Sequence, residues 1–173
     1  MRNGKMKKKN IVLCGFMGSG KSTIGKLLSR KMGMAFVDLD AYIEKKESKS
    51  VSQIFADSGE DYFRQLERDA VKELAYKKSI ILATGGGTLT FQQNVDILKN
   101  ADNKIILLDL PVEVVSKRLK GDTKRPLLNH PDKEQVMREL YEKRLPLYRS
   151  AADITVNAAN SPMQVCMEIM ANL

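Results

Sequence analysis

The sequence predicts an α/β protein: one three-layer domain in which a five-stranded parallel sheet lies between two layers of helices. Three observations carry this. Five short apolar runs recur along the chain, and several lack the alternation of a half-exposed strand, as expected where helices cover both faces of a parallel sheet. Helical patterns fall between these runs, which makes the connections crossovers of right-handed sense. A glycine-rich stretch directly follows the first run and opens the first helix.

Taken in order, the strands are expected at 10–14, 35–38, 80–84, 104–108 and 153–156. Helices are expected at about 21–32, 60–77, 91–100, 111–120, 133–149 and 162–172. Pro111 and the pair Ser161-Pro162 read as helix starts, since proline is preorganised for the first helical position. Two insertions interrupt the alternation. Residues 39–67 are polar and separate the second strand from its return helix, and residues 120–132 are basic, turn-rich and proline-punctuated, the composition of a mobile flap.

A chain of 173 residues is one domain, large enough to bury a core without staples. Cys14 falls in the first strand and Cys166 in the last helix, so both read as buried thiols in a reducing compartment. The net charge of +8 invites a nucleic-acid partner, but its distribution argues against one: Arg2, Lys5, Lys7, Lys8 and Lys9 lie in a basic tail, residues 1–9, expected to be disordered. No apolar run is long enough to span a bilayer, and no signal-peptide core follows the tail. A cytoplasmic, monomeric enzyme with small-molecule substrates, no nucleic acid and no membrane is the expectation.

The sequence Gly15-Phe16-Met17-Gly18-Ser19-Gly20-Lys21-Ser22 has the form G-x-x-x-x-G-K-S between a strand and a helix. Its glycines let the backbone turn successive N–H groups toward phosphates, and the new helix adds its free N–H groups and the positive end of its dipole. Gly18, Ser19, Gly20, Lys21, Ser22 and Thr23 are therefore the expected nucleotide site. Lys21 supplies a mobile charge for the β/γ-phosphates and Ser22 a hydroxyl for magnesium.

Magnesium needs a carboxylate as well. Asp38 ends the second strand at the sheet edge where such folds bind ligands, and it is preferred, acting through water. Asp109 ends the fourth strand but stands two residues before Pro111, where capping a helix explains it. Asp40, of the same strand parity as Asp38, is assigned to substrate. Gly85-Gly86-Gly87 after the third strand loses much backbone entropy on folding, which makes sense where a ligand approaches the main chain. Arg64 is satisfied by a surface salt bridge to Glu60 at i−4 or Glu67 at i+3. Arg144 shares its helix's apolar stripe with Met137, Leu140, Tyr141 and Tyr148, where a charge needs a partner; an anionic ligand would supply one. Arg125 lies in the flap and Arg118 in the helix before it. Guanidinium forks beside an aspartate suit a small hydroxylated acid. His130, the lone histidine, reads as a polar loop residue.

Together the phosphate loop, Asp38-Leu39-Asp40, the run Gly59-Glu60 to Phe63-Arg64 and Glu67, Gly85-Gly86-Gly87, Arg125-Pro126-Leu127-Leu128 and Arg144-Leu145-Pro146-Leu147-Tyr148-Arg149 resemble the shikimate kinase family over the whole chain after the tail. The resemblance implies a P-loop kinase fold, residues 10–173, in which 39–67 form the shikimate-binding subdomain and about 120–132 the lid. It implies Mg2+-dependent transfer of the ATP γ-phosphoryl group to the 3-hydroxyl of shikimate, in the pathway to chorismate and the aromatic amino acids. Shikimate contacts then fall to Asp40, Arg64, Gly85, Gly86, Gly87 and Arg144. Arg125 resembles the lid arginine that reaches the transferring phosphate, and Arg118 one beside the nucleotide. Lys21, Asp40 and Arg125 form the catalytic set, and Ser22 and Asp38 the metal site. One departure stands out: the loop Asn157-Ala158-Ala159-Asn160-Ser161-Pro162 lacks the arginine that some members set against adenine, leaving base contacts to backbone or Asn160.

Rival readings are a kinase of another acid such as gluconate, a nucleoside monophosphate kinase, and a GTP-binding switch. The last lacks an Asn-Lys-x-Asp guanine reader; Asn103-Lys104-Ile105-Ile106 has no aspartate. A non-catalytic paralogue is disfavoured because every motif position needed for transfer is filled.

Overall fold

The computed structural model describes residues 8–120 and 130–173. Among these, five strands form one parallel sheet in the order β2-β3-β1-β4-β5, with β1 Ile11–Cys14, β2 Ala35–Asp38, β3 Ile80–Ala83, β4 Lys104–Asp109 and β5 Ile154–Asn157. Every residue of β1 and β3 is buried, so helices cover both sheet faces. Because all strands run the same way, the segments following them gather at one edge. That edge collects the phosphate loop, Asp38, the glycine run and the loop after β5.

The helices are α1 Lys21–Met32, α2 Leu39–Glu47, α3 Val51–Ala75, α4 Gln92–Asn100, α5 Val112–Leu119, α6 Lys133–Ala151 and α7 Pro162–Ala171. A 3-10 turn, Thr88–Thr90, joins the glycine run to α4. The core includes Leu13, Leu28, Ile81, Leu98, Ile105 and Ile169, all essentially inaccessible. Buried Asn10 and Asn103 donate to the carbonyl of Ala75, so the end of α3 is held by side chains. Among the described residues no helix is long and apolar enough to cross a membrane.

Three expectations need correction. No helix is expected over 39–59, yet α2 occupies its start, and α3 begins at Val51 and is broken at Gly59, whose φ of 82° and ψ of 175° are not helical. Asp40 does not continue the strand parity of Asp38, because β2 ends at Asp38 and Asp40 lies in the first turn of α2. Asp109 does not cap α5. The N-cap there is Pro111, with no side-chain hydrogen bond, and Asp109 instead accepts from Arg149 Nη2 at 3.4 Å. The helix starting at Pro162 is as expected, with Ser161 and Gln164 forming a reciprocal capping box. Residues 121–129 of the flap, Arg125 among them, lie outside the described residues, as does most of the basic tail.

Candidate active site

The strand-to-helix turn after β1 is built on left-handed glycines, Gly18 at φ 77° and Gly20 at φ 93°. Gly20 is the N-cap of α1 and brings no side chain to the first turn. Lys21 Nζ donates to the carbonyls of Gly15 at 2.7 Å and Phe16 at 3.2 Å, so the loop itself holds the ammonium over its concave side. A cavity of about 440 Å³ opens here, lined among others by Gly18, Lys21, Ser22, Thr23, Asp38 and Asp40. Ser19, buried, faces the loop interior, and its Oγ has no hydrogen-bond partner among the described residues.

Ser22 Oγ donates to Asp38 Oδ2 at 2.9 Å, while Asp38 Oδ1 accepts from the Ala41 amide at 3.0 Å and caps α2. One carboxylate therefore fixes the start of α2 and faces the phosphate-loop hydroxyl. A hydroxyl and a carboxylate oxygen in contact beside a phosphate cradle are the donor set a hard divalent cation takes. Arg118 reaches the same loop: its guanidinium donates to Gly18 O at 3.0 Å and Ala158 O at 3.2 Å, tying the phosphate loop to the segment after β5. Asp109 lines neither this cavity nor the next.

A second cavity, about 520 Å³, adjoins the first and shares Met17, Asp40, Gly85 and Gly86 with it. Arg64 and Arg144 enter it from α3 and α6. The glycine run is the floor, and none of its members has positive φ. Their smallness answers to close approach. A Cβ on Gly85 would sit 3.0 Å from Asp40 Oδ1, one on Gly86 2.9 Å from Arg144 Nη1, and one on Gly87 2.5 Å from Arg64 Nη2. Each glycine thus makes room for a different polar side chain of the pocket.

Arg64 is held on its own helix by Glu67 at 2.8 Å and Glu60 at 3.4 Å. The salt bridge expected from sequence exists, yet it is not a surface pair. The Glu67 side chain is 1% exposed, and its other oxygen accepts from Thr88 Oγ1 at 2.7 Å. Asn94 continues the chain by donating to Thr88 O at 2.9 Å. Arg144 forms no ion pair among the described residues, and its neighbour Tyr148 donates to Gly86 O. Sequence reasoning passed over Thr88, Asn94, Tyr148 and Phe91 as site residues and weighed Glu67 only as a surface partner. His130 is exposed, and its Nδ1 accepts from the Asp132 amide, a local loop role.

The electrostatics single out Asp40. Burial, then the charges of Asp38 and Glu67, push its carboxyl up to about 6, with Lys21 acting in the opposite direction. Burial also raises Tyr148 to about 12, so its hydroxyl stays protonated, with the Arg144 charge only partly opposing. Cys14 is likewise pushed up to about 12 by burial and is an inert core thiol.

A phosphate loop, a hydroxyl–carboxylate pair beside it, and an arginine-lined acceptor pocket opening onto a raised carboxyl together define a P-loop kinase of small acidic molecules. The sequence model of the family described as shikimate kinase matches residues 17–173. A shikimate kinase of Persephonella marina is 44% identical over 166 residues, covering 95% of this chain and 99% of its own. The structure of shikimate kinase from Acinetobacter baumannii in complex with shikimate superposes with a TM-score of 0.86 at 36% identity, covering 95% of this chain and 94% of that one. A gluconokinase of Sinorhizobium meliloti, at 18% identity and a TM-score of 0.63, shares the fold alone. The chain belongs to the shikimate kinase family.

Proposed function

We propose that the chain transfers the γ-phosphoryl group of ATP to the 3-hydroxyl of shikimate, giving ADP and shikimate 3-phosphate. The observation that carries this is the position of Asp40, at the seam where the phosphate-loop cavity meets the arginine-lined pocket. ATP phosphates take the loop amides, Lys21 and Arg118. Ser22 and Asp38 hold magnesium, which supplies neutralisation of the phosphate charge. Arg64 and Arg144 take the substrate carboxylate in guanidinium forks, and Asp40 accepts hydrogen bonds from ring hydroxyls.

Transfer follows from this placement. The acceptor oxygen attacks the γ-phosphorus, the bond to the β–γ bridging oxygen breaks, and the hydroxyl proton passes to Asp40. With its carboxyl pushed up to about 6, Asp40 is ionised at neutral pH yet basic enough to take that proton. Its base role is secondary to positioning and charge stabilisation, which dominate phosphoryl transfer. Arg125, outside the described residues, is assigned to the transferring phosphate by its place in the family motif. The chain is taken to act as a monomer, and its two buried free cysteines suit a reducing cytoplasm.

A coupled ADP-release assay with shikimate against gluconate and other hydroxy acids tests the assignment. Turnover of shikimate, abolished by Lys21→Ala in a folded protein, is the expected result; preference for gluconate or a nucleoside monophosphate refutes it. Shikimamide, which lacks the anion, is expected to bind roughly 30- to 5,000-fold more weakly. That defect should shrink in Arg144→Ala, and equal losses in both backgrounds would exclude Arg144 from carboxylate recognition.

A further inference from the structure

We propose that Phe91 is a positioning residue for Arg64, holding its guanidinium plane ready for the acceptor's carboxylate. This rests on the reading of Arg64 as a carboxylate ligand. The guanidinium carbon lies 5.2 Å from the Phe91 ring centroid and 5.5 Å from that of Phe63, so two aromatic rings neighbour one cation. Both distances fall within the range where the negative face of a ring attracts a guanidinium. Glu67 fixes one edge of the group at 2.8 Å, and the Gly87 backbone lies against it. Phe91 also lines the acceptor cavity.

The local context gives Phe91 no competing employment. It stands at the N-cap of α4, where serine, threonine, asparagine or aspartate would bond the first-turn amides, and it makes no such bond. At 38% exposure it belongs neither to the buried core nor to the half-buried residues packed on it. A large apolar residue at a capping position, half in water, is unfavourable for the helix it begins. Its ring is placed instead against Arg64, one of the two pocket arginines for which the glycine run makes room. There it excludes water from one face of Arg64 and limits the rotamers of a long side chain, which strengthens the ion pair an incoming carboxylate forms.

The two roles predict effects of opposite sign. Phe91→Ser installs a proper cap while deleting the ring, so Tm rises by a few degrees as the KM for shikimate rises about three- to tenfold. The KM for ATP stays at its wild-type value. Phe91→Tyr keeps both ring and affinity. Phe91→Leu, apolar but without a π face, falls between wild type and Phe91→Ser. In an Arg64→Ala background, Phe91→Ser has no further effect on the KM for shikimate. A Phe91→Ser protein that loses stability and acceptor affinity together makes the ring a packing element and overturns the proposal. So does an unchanged KM for shikimate in Phe91→Ser, or wild-type affinity in Phe91→Leu. The parent reading fails separately: if Arg64→Ala leaves the KM for shikimate unchanged, Arg64 is not the carboxylate ligand at all.

Discussion

Arg64 donates to Glu67 at 2.8 Å, and the carboxylate that receives it is sealed from water. The pair is intrahelical by sequence but interior by environment. Breaking it leaves a buried charge without its counterpart, which is far more damaging than losing a surface pair. Glu67→Gln should therefore raise the KM for shikimate by about tenfold or more, since the arginine loses its anchor. Glu67 is also one of the charges raising Asp40, so its removal should move the acid limb of kcat/KM to lower pH. An acid limb that stays in place would show that Glu67 does not act on Asp40.

Gly87→Ala tests the close approach directly. The added methyl meets the guanidinium of Arg64, the far end of a flexible side chain, so the fold accommodates it while the ligand group is displaced. Shikimate affinity should fall roughly 30-fold with little change in the KM for ATP. A large loss of stability with intact affinity would place the constraint in the backbone instead.

Asp40→Asn should stabilise the ligand-free protein at neutral pH. A carboxyl whose folded pKa, about 6, exceeds its unfolded value binds protons more tightly when folded. The stability this contributes is complete below the unfolded pKa and is lost as pH rises through 6. Asparagine mimics the neutral form throughout. The margin of Asp40→Asn over wild type should grow by about 1 kcal/mol between pH 5 and pH 8 in thermal or urea unfolding. A margin that is flat or shrinks with pH contradicts the raised carboxyl. Turnover in this variant should be nearly abolished, the trade between stability and activity seen at functional sites.

Asp38→Asn and Asp109→Asn separate the carboxylate proposed for metal from the one set aside. Asparagine caps helices as well as aspartate does, so α2 keeps its start in Asp38→Asn while the anionic ligand is lost. Magnesium titrations should show a strongly raised requirement in Asp38→Asn and a small effect in Asp109→Asn, where only the bond to Arg149 is disturbed. The reverse order would assign the cation to β4.

Wild-type kcat/KM should decline below about pH 6 as Asp40 is protonated in the free enzyme, with slope one. A profile flat to pH 5 would remove Asp40 from the proton-accepting role.

The strands were legible to within about one residue because buried parallel strands are bare apolar runs, and the phosphate loop because its glycine spacing has no cheaper purpose. Helix α2 was not: Leu39 and Ile43 are its only buried residues, and its charged remainder reads as loop. Glu67 was misjudged because a carboxylate three residues from an arginine looks the same in sequence whether water surrounds it or not. Phe91 carries no local signal, since its contact with Arg64 is made by the return of the chain through β3. The glycine run announced close approach, but not which side chains approach.

Those three adjacent α-carbons also bear on how the pocket descends through lineages. While Arg64 is present, a side chain at position 87 collides with its guanidinium; without Arg64 that restraint lapses and an alanine there has room. Reverting to arginine would then meet a methyl 2.5 Å from its nitrogen. Once loss of Arg64 is followed by alanine at 87, recovery takes two substitutions in the right order, glycine before arginine.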